Sequence, residues 1–472
     1  MVPRQIELRL AALCVGRVTP LDNLTRMSPH HPSRAVTVRI VARPVAQFLL
    51  AGASACASSG SMISARQSCP SGHWLPAQPL RTAQGYTVFM ELPVVLPMLG
   101  KAFILSSVAT TYDASGKLVW PLVPPPALTV ERPEQIGAGV IADSSGMSEL
   151  VAQPRDLAVF PVGSIATTDD KGVAHVVWAS YDSSTSTSIT TMRSLWYARF
   201  ENDKWNTPAR ILTTAGTLMW TPSTRSSLVE RNGTLHIALA VVSEGVRYVR
   251  FSDGLWSYHR ASAFGPYSGY PHLAVLNDGR VVIIAQGGVQ HPLTHSMSAM
   301  YASFTNDAGR SWSPVVQVSD SSSQPTYDFH LLLDGSVLYA VWYQQTDDRG
   351  NPALAPKFME SPGRVHVARS DDRGRTWHRE VPSALLPSAR GLQALLRPDH
   401  AILVALVDGE TERVYTATWS NGWRPFETHP AAPAPFNPTL GLDGAHRPVL
   451  TWGIRHSHEW VGTMMSRYVP CP

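Results

Sequence analysis

Apolar and polar positions alternate along residues 160–455 in one unit that recurs six times. Each unit is an apolar strand, a short turn built on Asn, Asp or Gly, and a second apolar strand. The copies occupy 164–178, 227–239, 272–284, 330–342, 392–404 and 439–452. Period-two alternation places successive side chains on opposite faces of a strand. Asx-Gly pairs such as Asn232-Gly233, Asp278-Gly279, Asp334-Gly335 and Asp443-Gly444 then read as hairpin turns. A second hairpin follows most copies and ends at a tryptophan, as in 197–205, 248–256 and 415–423. Four strands per repeat, spaced by roughly 54 residues, fall in the range of propeller blades. One such sheet cannot bury both faces alone, so the blades must stack around an axis. The pattern predicts an all-β, six-bladed propeller of four-stranded antiparallel blades over residues 85–472.

Residues 80–160 follow the pattern less closely. The stretch 101–108 reads as a strand that completes the last blade. Residues 112–120 echo a second-hairpin turn, and Pro124-Pro125-Pro126 breaks the pattern into an irregular insert. A seventh blade is the alternative.

Composition narrows the class. Of 472 residues, 44% are hydrophobic and 16% are charged, which supports a large core and excludes a disordered chain. The net charge is +4 with no Lys/Arg run, so nucleic acid is not an expected partner. No window of 18 or more uncharged apolar residues is present, so no membrane-spanning helix is expected. A monomer is expected. No Cys/His cluster has zinc spacing, and neither a metal nor a cofactor is expected.

The N-terminus has the layout of an export signal over residues 1–57. Arg34, Arg39 and Arg43 precede the apolar stretch 44–53, and Ala53-Ser54-Ala55 is an A-x-A cleavage site. Met27 gives that signal an ordinary length and reads as the true start. The expected location is secreted or periplasmic, with a lipid anchor on Cys56 as the alternative. Residues 58–84 read as a linker. Of four cysteines, Cys14 leaves with the signal and Cys56 sits at its boundary. Cys69 and Cys471 remain, one near each end of the mature chain, and suggest a disulfide between the termini.

Propeller geometry also selects the site. Innermost strands start, and second strands end, on one face of the disc, where loops converge on the axis. Residues just before the innermost strands are Arg225, Tyr270 with His272, Asp328 with His330, Arg390, and Asn437. Those just after the second strands are Tyr181, Glu244, His291, Gln344, Asp408, Arg455 and His456. This ring is richer in Arg, His, Tyr and carboxylate than a packing surface needs.

Two of the tryptophan turns, 305–312 and 370–377, both read S/T-x-D-x-G-x-S/T-W. Asp307 and Asp372 can accept turn amides, Gly309 and Gly374 permit the tight turn, and Trp312 and Trp377 can pack between sheets. The motif resembles the Asp-box of the sialidase superfamily, and the likeness extends from about residue 160 to 468. It implies a six-bladed propeller and a structural role for those six residues, away from the active face. It also implies a hydrolase site in which three arginines hold a carboxylate, a Tyr/Glu pair supplies the nucleophile and an Asp serves as acid/base. Arg225, Arg390 and Arg455 stand at site-facing positions. Glu244, Tyr270 and Asp328 offer the other chemistry types, with Tyr181, His291, Gln344 and Asn437 as substrate contacts. The same ring suits a polysaccharide lyase, with Tyr270, His272 and His330 moving protons and Arg225 or Arg390 neutralising a uronate. It also suits a non-catalytic propeller that binds glycan or protein. The expected partner in the first two readings is a carbohydrate, acidic in character.

Overall fold

The Asn232-Gly233 turn forms as its chemistry requires. Asn232 and Gly233 both take left-handed backbone angles, with φ of 51° and 77°, and close the pair Arg231–Thr234. That mirror-image turn matches the twist of the strands it joins.

The computed structural model describes residues 73–469, apart from short connections and the longer stretches 121–137, 153–160, 182–191, 219–226, 288–298, 347–361 and 430–434. The described residues contain 34 strands and no helix. Six sheets correspond to the six repeats. Blade 1 covers 161–213, blade 2 227–260, blade 3 269–317, blade 4 325–379, blade 5 390–428 and blade 6 435–469. Each is an antiparallel meander in which the first strand is innermost.

Blade 6 takes its outer strands from the other end of the described chain. His73–Trp74 and Gln78–Pro79 pair with Glu459–Val469, and His73 stands opposite Val469. The Trp74 indole N–H donates to Thr416 Oγ1 of blade 5 at 3.2 Å, and Ser466 Oγ donates to the Leu75 carbonyl at 2.6 Å. Part of the segment read as linker is therefore a clasp, because the last blade lacks an outer strand of its own.

The seventh position in the ring is filled by an eight-stranded sheet over 81–152. Its strand Val94–Met98 touches the innermost strands of both blade 6 and blade 1. With it, the innermost strands close a seven-membered ring. Outward from it lie Lys101–Ser106, Ala138–Ala142 and Met147–Ala152. Arg81–Thr82 then joins in parallel, with Met147 opposite Arg81, and leads to Thr87–Glu91, Val108–Tyr112 and Leu118–Trp120. The stretch 101–106 is thus not a strand of blade 6. It belongs to this sheet, and the seven-blade alternative describes the ring.

The core is divided among blade interfaces. Ile165, Val177 and Leu195 of blade 1 meet Leu228, Ile237 and Val249 of blade 2. Ile284 and Met300 of blade 3 meet Phe329 and Trp342 of blade 4. Between blades 6 and 7 the strands approach so closely that a Cβ on Gly441 would strike the Val95 carbonyl and lie 2.6 Å from Val95 Cβ. Glycine is required there by proximity.

The two tryptophan turns connect the third and fourth strands of blades 3 and 4. Asp307 accepts from Thr305 Oγ1 at 2.7 Å, Ser311 N at 2.9 Å and Ser311 Oγ at 2.5 Å. Asp372 repeats this with Ser370 Oγ, Thr376 N and Thr376 Oγ1 at 2.9, 2.8 and 2.6 Å. The Ser311 and Thr305 bonds hold the Asp307 carboxyl well below the usual range. At Asp372 burial opposes the shift, but bonds from Thr376 and Ser370 prevail and its pKa is also lowered. Trp312 stacks edge-on against Tyr248 of blade 2 at 5.8 Å, and Trp377 packs into the interface of blades 3 and 4. Both aspartates thus tie together their own turns, and both tryptophans pack between blades.

Candidate functional site

The innermost strands share a feature at the axial face. In blades 1, 3, 4, 5 and 6 the pairing register slips near the start of the strand. Such a bulge bends the strand and re-aims its side chains. In blade 3 the slip lies between Gly269 and His272, and in blade 5 between Arg390 and Gln393. Tyr270 and Gly391 therefore occupy the same register position.

Three adjacent blades bring site candidates together here. The His272 ring of blade 3 meets the His330 ring of blade 4 edge-on at 5.5 Å, and also lies 4.8 Å from Phe329. His330 Nε2 is 3.0 Å from the Leu392 carbonyl of blade 5. A carbonyl only accepts, so Nε2 carries the hydrogen. In neutral His330 the lone pair is thereby assigned to Nδ1. Asp328 Oδ2 accepts from the Gly391 N–H at 3.1 Å, and Arg390 immediately precedes that glycine. Tyr270 packs against the apolar cluster between blades 3 and 4 that contains Ile284, Phe329 and Trp342. Tyr270, His272, Asp328, His330 and Arg390 thus lie on one patch. His272 is 9% exposed, while the other four are partly exposed.

The neighbouring second-strand ends are more enclosed. Asp408 is fully buried and accepts from Tyr415 O–H at 3.2 Å. Burial pushes the Tyr343 hydroxyl above the ordinary tyrosine range, and the Asp408 charge adds to that rise. Gln344 is 5% exposed. Glu244 forms an ion pair with Arg247 of the same blade, through Nε at 3.0 Å and through Nη2. Glu244 is thus paired within blade 2, and Gln344 stands on the second strand of blade 4, opposite Pro325.

Tyr181 stands at the end of the strand Ala174–Tyr181, Asn437 within Pro435–Leu442, and Arg455 and His456 at the end of Pro448–His456. Arg225, His291, Cys56, Cys69 and Cys471, together with the signal at 1–57 and Met27, lie outside the described residues.

Two groups at the patch escaped the sequence reading. Gln393, almost fully buried, donates from Nε2 to the same Leu392 carbonyl at 2.9 Å. The carbonyl itself, as the His330 anchor, has no side-chain signature. Among the described residues no group of His, Cys, Asp and Glu could hold a metal ion, and no helix is long and apolar enough to cross a membrane.

No family model and no curated protein matches the chain. Solved structures with some likeness include a protein of unknown function from Dyadobacter fermentans, at 11% identity and a TM-score of 0.44 over 66% of this chain and 95% of that one. An ulvan lyase bound to a GlcA(1-4)Rha3S ligand aligns at 10% identity and 0.44, over 66% and 83%. An alpha-L-arabinanase of Penicillium chrysogenum with arabinobiose aligns at 14% identity and 0.40, over 66% and 93%. At such scores the propeller assignment rests on the strand pairing of this chain, and its chemistry on the side chains above.

Proposed function

We propose that the axial face of blades 3 to 5 binds an acidic glycan and that this propeller cleaves it by β-elimination at a uronate. The observation that carries this reading is the contact of His272 with a His330 whose Nε2–H is committed to the Leu392 carbonyl, beside Arg390 and Tyr270. Arg390 offers a planar guanidinium to the uronate carboxylate and lowers the cost of charge building on it. His330 Nδ1 takes the proton from C5. The electrons of that C–H bond form the C4–C5 double bond, and the C4–O bond breaks. The Tyr270 hydroxyl gives its proton to the departing oxygen. His272 fixes the His330 ring by its edge contact.

Hydrolysis on the sialidase-superfamily pattern would draw on carboxylates instead. The three candidates on this face are engaged: Asp328 with the Gly391 amide, Glu244 with Arg247, and Asp408 with Tyr415. That commitment favours proton transfer by His and Tyr. Export from the cell fits a polymeric substrate and belongs to the same proposal.

The experiment is incubation of the full chain with polygalacturonate, alginate, hyaluronan and a glucuronan, against neutral arabinan. Elimination yields unsaturated uronates that absorb in the ultraviolet. New reducing ends without absorbance would replace this reading by hydrolysis. Saturable binding with neither product would make the protein a glycan-binding propeller.

A further inference from the structure

We infer that Asp328 is a positioning residue, which holds Arg390 on the axial face by anchoring the blade 5 bulge. The role of Arg390 rests on the function proposed above; the anchoring of the bulge does not.

The bulge is held from both sides. Gly391 has φ of 67°, a conformation that most side chains resist. On one side its N–H donates to Asp328 Oδ2 of blade 4 at 3.1 Å. On the other, a Cβ added to Gly391 would lie 3.1 Å from Pro438 Cδ of blade 6. Blade 6 thus closes the bulge sterically and blade 4 closes it with a hydrogen bond. Ladder pairing is interrupted at this point, between Arg390 and Gln393, so the sheet itself does not satisfy the Gly391 amide. A peptide N–H released from a charged acceptor in a partly buried place is costly. Asp328 supplies that acceptor across a blade boundary, and the next residue along the bulge is Arg390. A carboxylate committed in this way sets the direction from which Arg390 reaches the axis.

This separates two fates for Asp328. An acid/base residue needs its titrating proton, so Asp328→Asn would abolish its function. A positioning acceptor needs only an oxygen, which Asn retains, so Asp328→Asn should rescue what Asp328→Ala loses. Amide exchange at Gly391, read by mass spectrometry or NMR on the full chain, tests the anchor without reference to turnover. In Asp328→Ala the Gly391 amide should exchange at least about tenfold faster, and in Asp328→Asn within about threefold of the parent rate. On a uronate polymer, Asp328→Ala should raise KM and lower kcat, with kcat/KM down at least about tenfold, because Arg390 serves both the bound carboxylate and the charge that builds on it. In Asp328→Asn both limbs of the pH–rate profile should stay in place. Unchanged Gly391 exchange in Asp328→Ala overturns the anchor. So does a fall in kcat of about a hundredfold in Asp328→Asn with loss of a pH limb, which would make Asp328 the acid/base. If the parent protein turns over no uronate, the proposed function fails, and the exchange comparison still decides the anchor.

Discussion

Tyr270 occupies in blade 3 the bulge position that Gly391 occupies in blade 5, and both are left-handed, with φ of 52° and 67°. Glycine adopts this conformation at no steric cost, whereas a residue with a Cβ gives up about 1–2 kcal/mol. Strain of this kind persists where surrounding structure holds it, and it concentrates at functional sites. Tyr270 is held by its packing against the apolar cluster between blades 3 and 4. Tyr270→Phe keeps that packing and removes only the hydroxyl. Its melting temperature should stay within about 2 °C of the parent, and turnover of a uronate polymer should fall by about a hundredfold or more. Full activity in the Phe variant would remove Tyr270 from the chemistry.

How much of this was legible in the sequence follows from which pairings are local. The six hairpins announce themselves by turn residues between apolar strands: Gly172, Asn232, Gly233, Gly279 and Gly335 take left-handed angles, while in blades 5 and 6 His400 and His446 do so. Which strand ends share the axial face was legible for the same reason, since fixing the hairpins fixes the direction of each strand. The seventh sheet was not legible. Its third strand, Ala138–Ala142, pairs with Lys101–Ser106 across a long interval, and Met147–Ala152 pairs in parallel with Arg81–Thr82. No local turn chemistry signals either pairing. The left-handed Tyr270 was equally hidden, because the residue there is not a glycine.

The tryptophan turns separate stability from chemistry. Asp372→Ala removes the acceptor for the Arg375 and Thr376 amides and for two hydroxyls. Denaturant titration should show a loss of about 1–3 kcal/mol. Per folded molecule, the rate on a uronate polymer should be unchanged, since the turn joins the third and fourth strands, at the far end of the blade from the bulges. A variant with parental stability and no turnover would relocate the active face.

Buried histidines make stability depend on pH. His236 donates to or accepts from Tyr248 O–H at 2.6 Å, and His366 stacks on Trp342 at 5.2 Å. Burial lowers both to about 4 from 6.5, aided by Arg250 at His236 and by Arg364 at His366. The unfolded chain binds these protons near 6.5 and the folded chain does not until about 4. Their contribution is therefore fully present above 6.5 and is lost as pH falls towards 4. Between about pH 7 and pH 5 each site should cost about 2 kcal/mol of unfolding free energy. Urea titrations at the two pH values measure the loss, and His236→Gln should remove its share. A parent protein equally stable at both would show that these rings take up protons alike in the folded and unfolded chains.

The clasp of blade 6 yields the last prediction. His73 pairs with Val469, so the chain leaves both strands at the same corner of the propeller. Paired Cα atoms in an antiparallel ladder are about 4.5–5.5 Å apart. Cys69 is four residues before His73, and Cys471 two residues after Val469. A chain spans at most about 3.3–3.6 Å per residue, and segments this short keep both sulfurs within reach of a bridge. We expect a Cys69–Cys471 disulfide in exported protein. It would cross-link a loop of about 400 residues, for which the chain-entropy account gives more than about 4 kcal/mol. Measured gains commonly fall short of that figure, through strain in the folded bridge or residual structure in the unfolded chain; in the folded protein the effect should concentrate in the clasp, where the Trp74 and Leu75 bonds share the same corner. Peptide mapping without reductant should recover the two cysteines in one linked fragment. On reduction, amide exchange should quicken first at Trp74 and Leu75, ahead of blades 2 to 4. Two free thiols in protein recovered from an oxidising compartment would rule the bridge out and leave the closure to the strand pairing of His73–Trp74 and Gln78–Pro79 and to the Trp74 and Leu75 bonds.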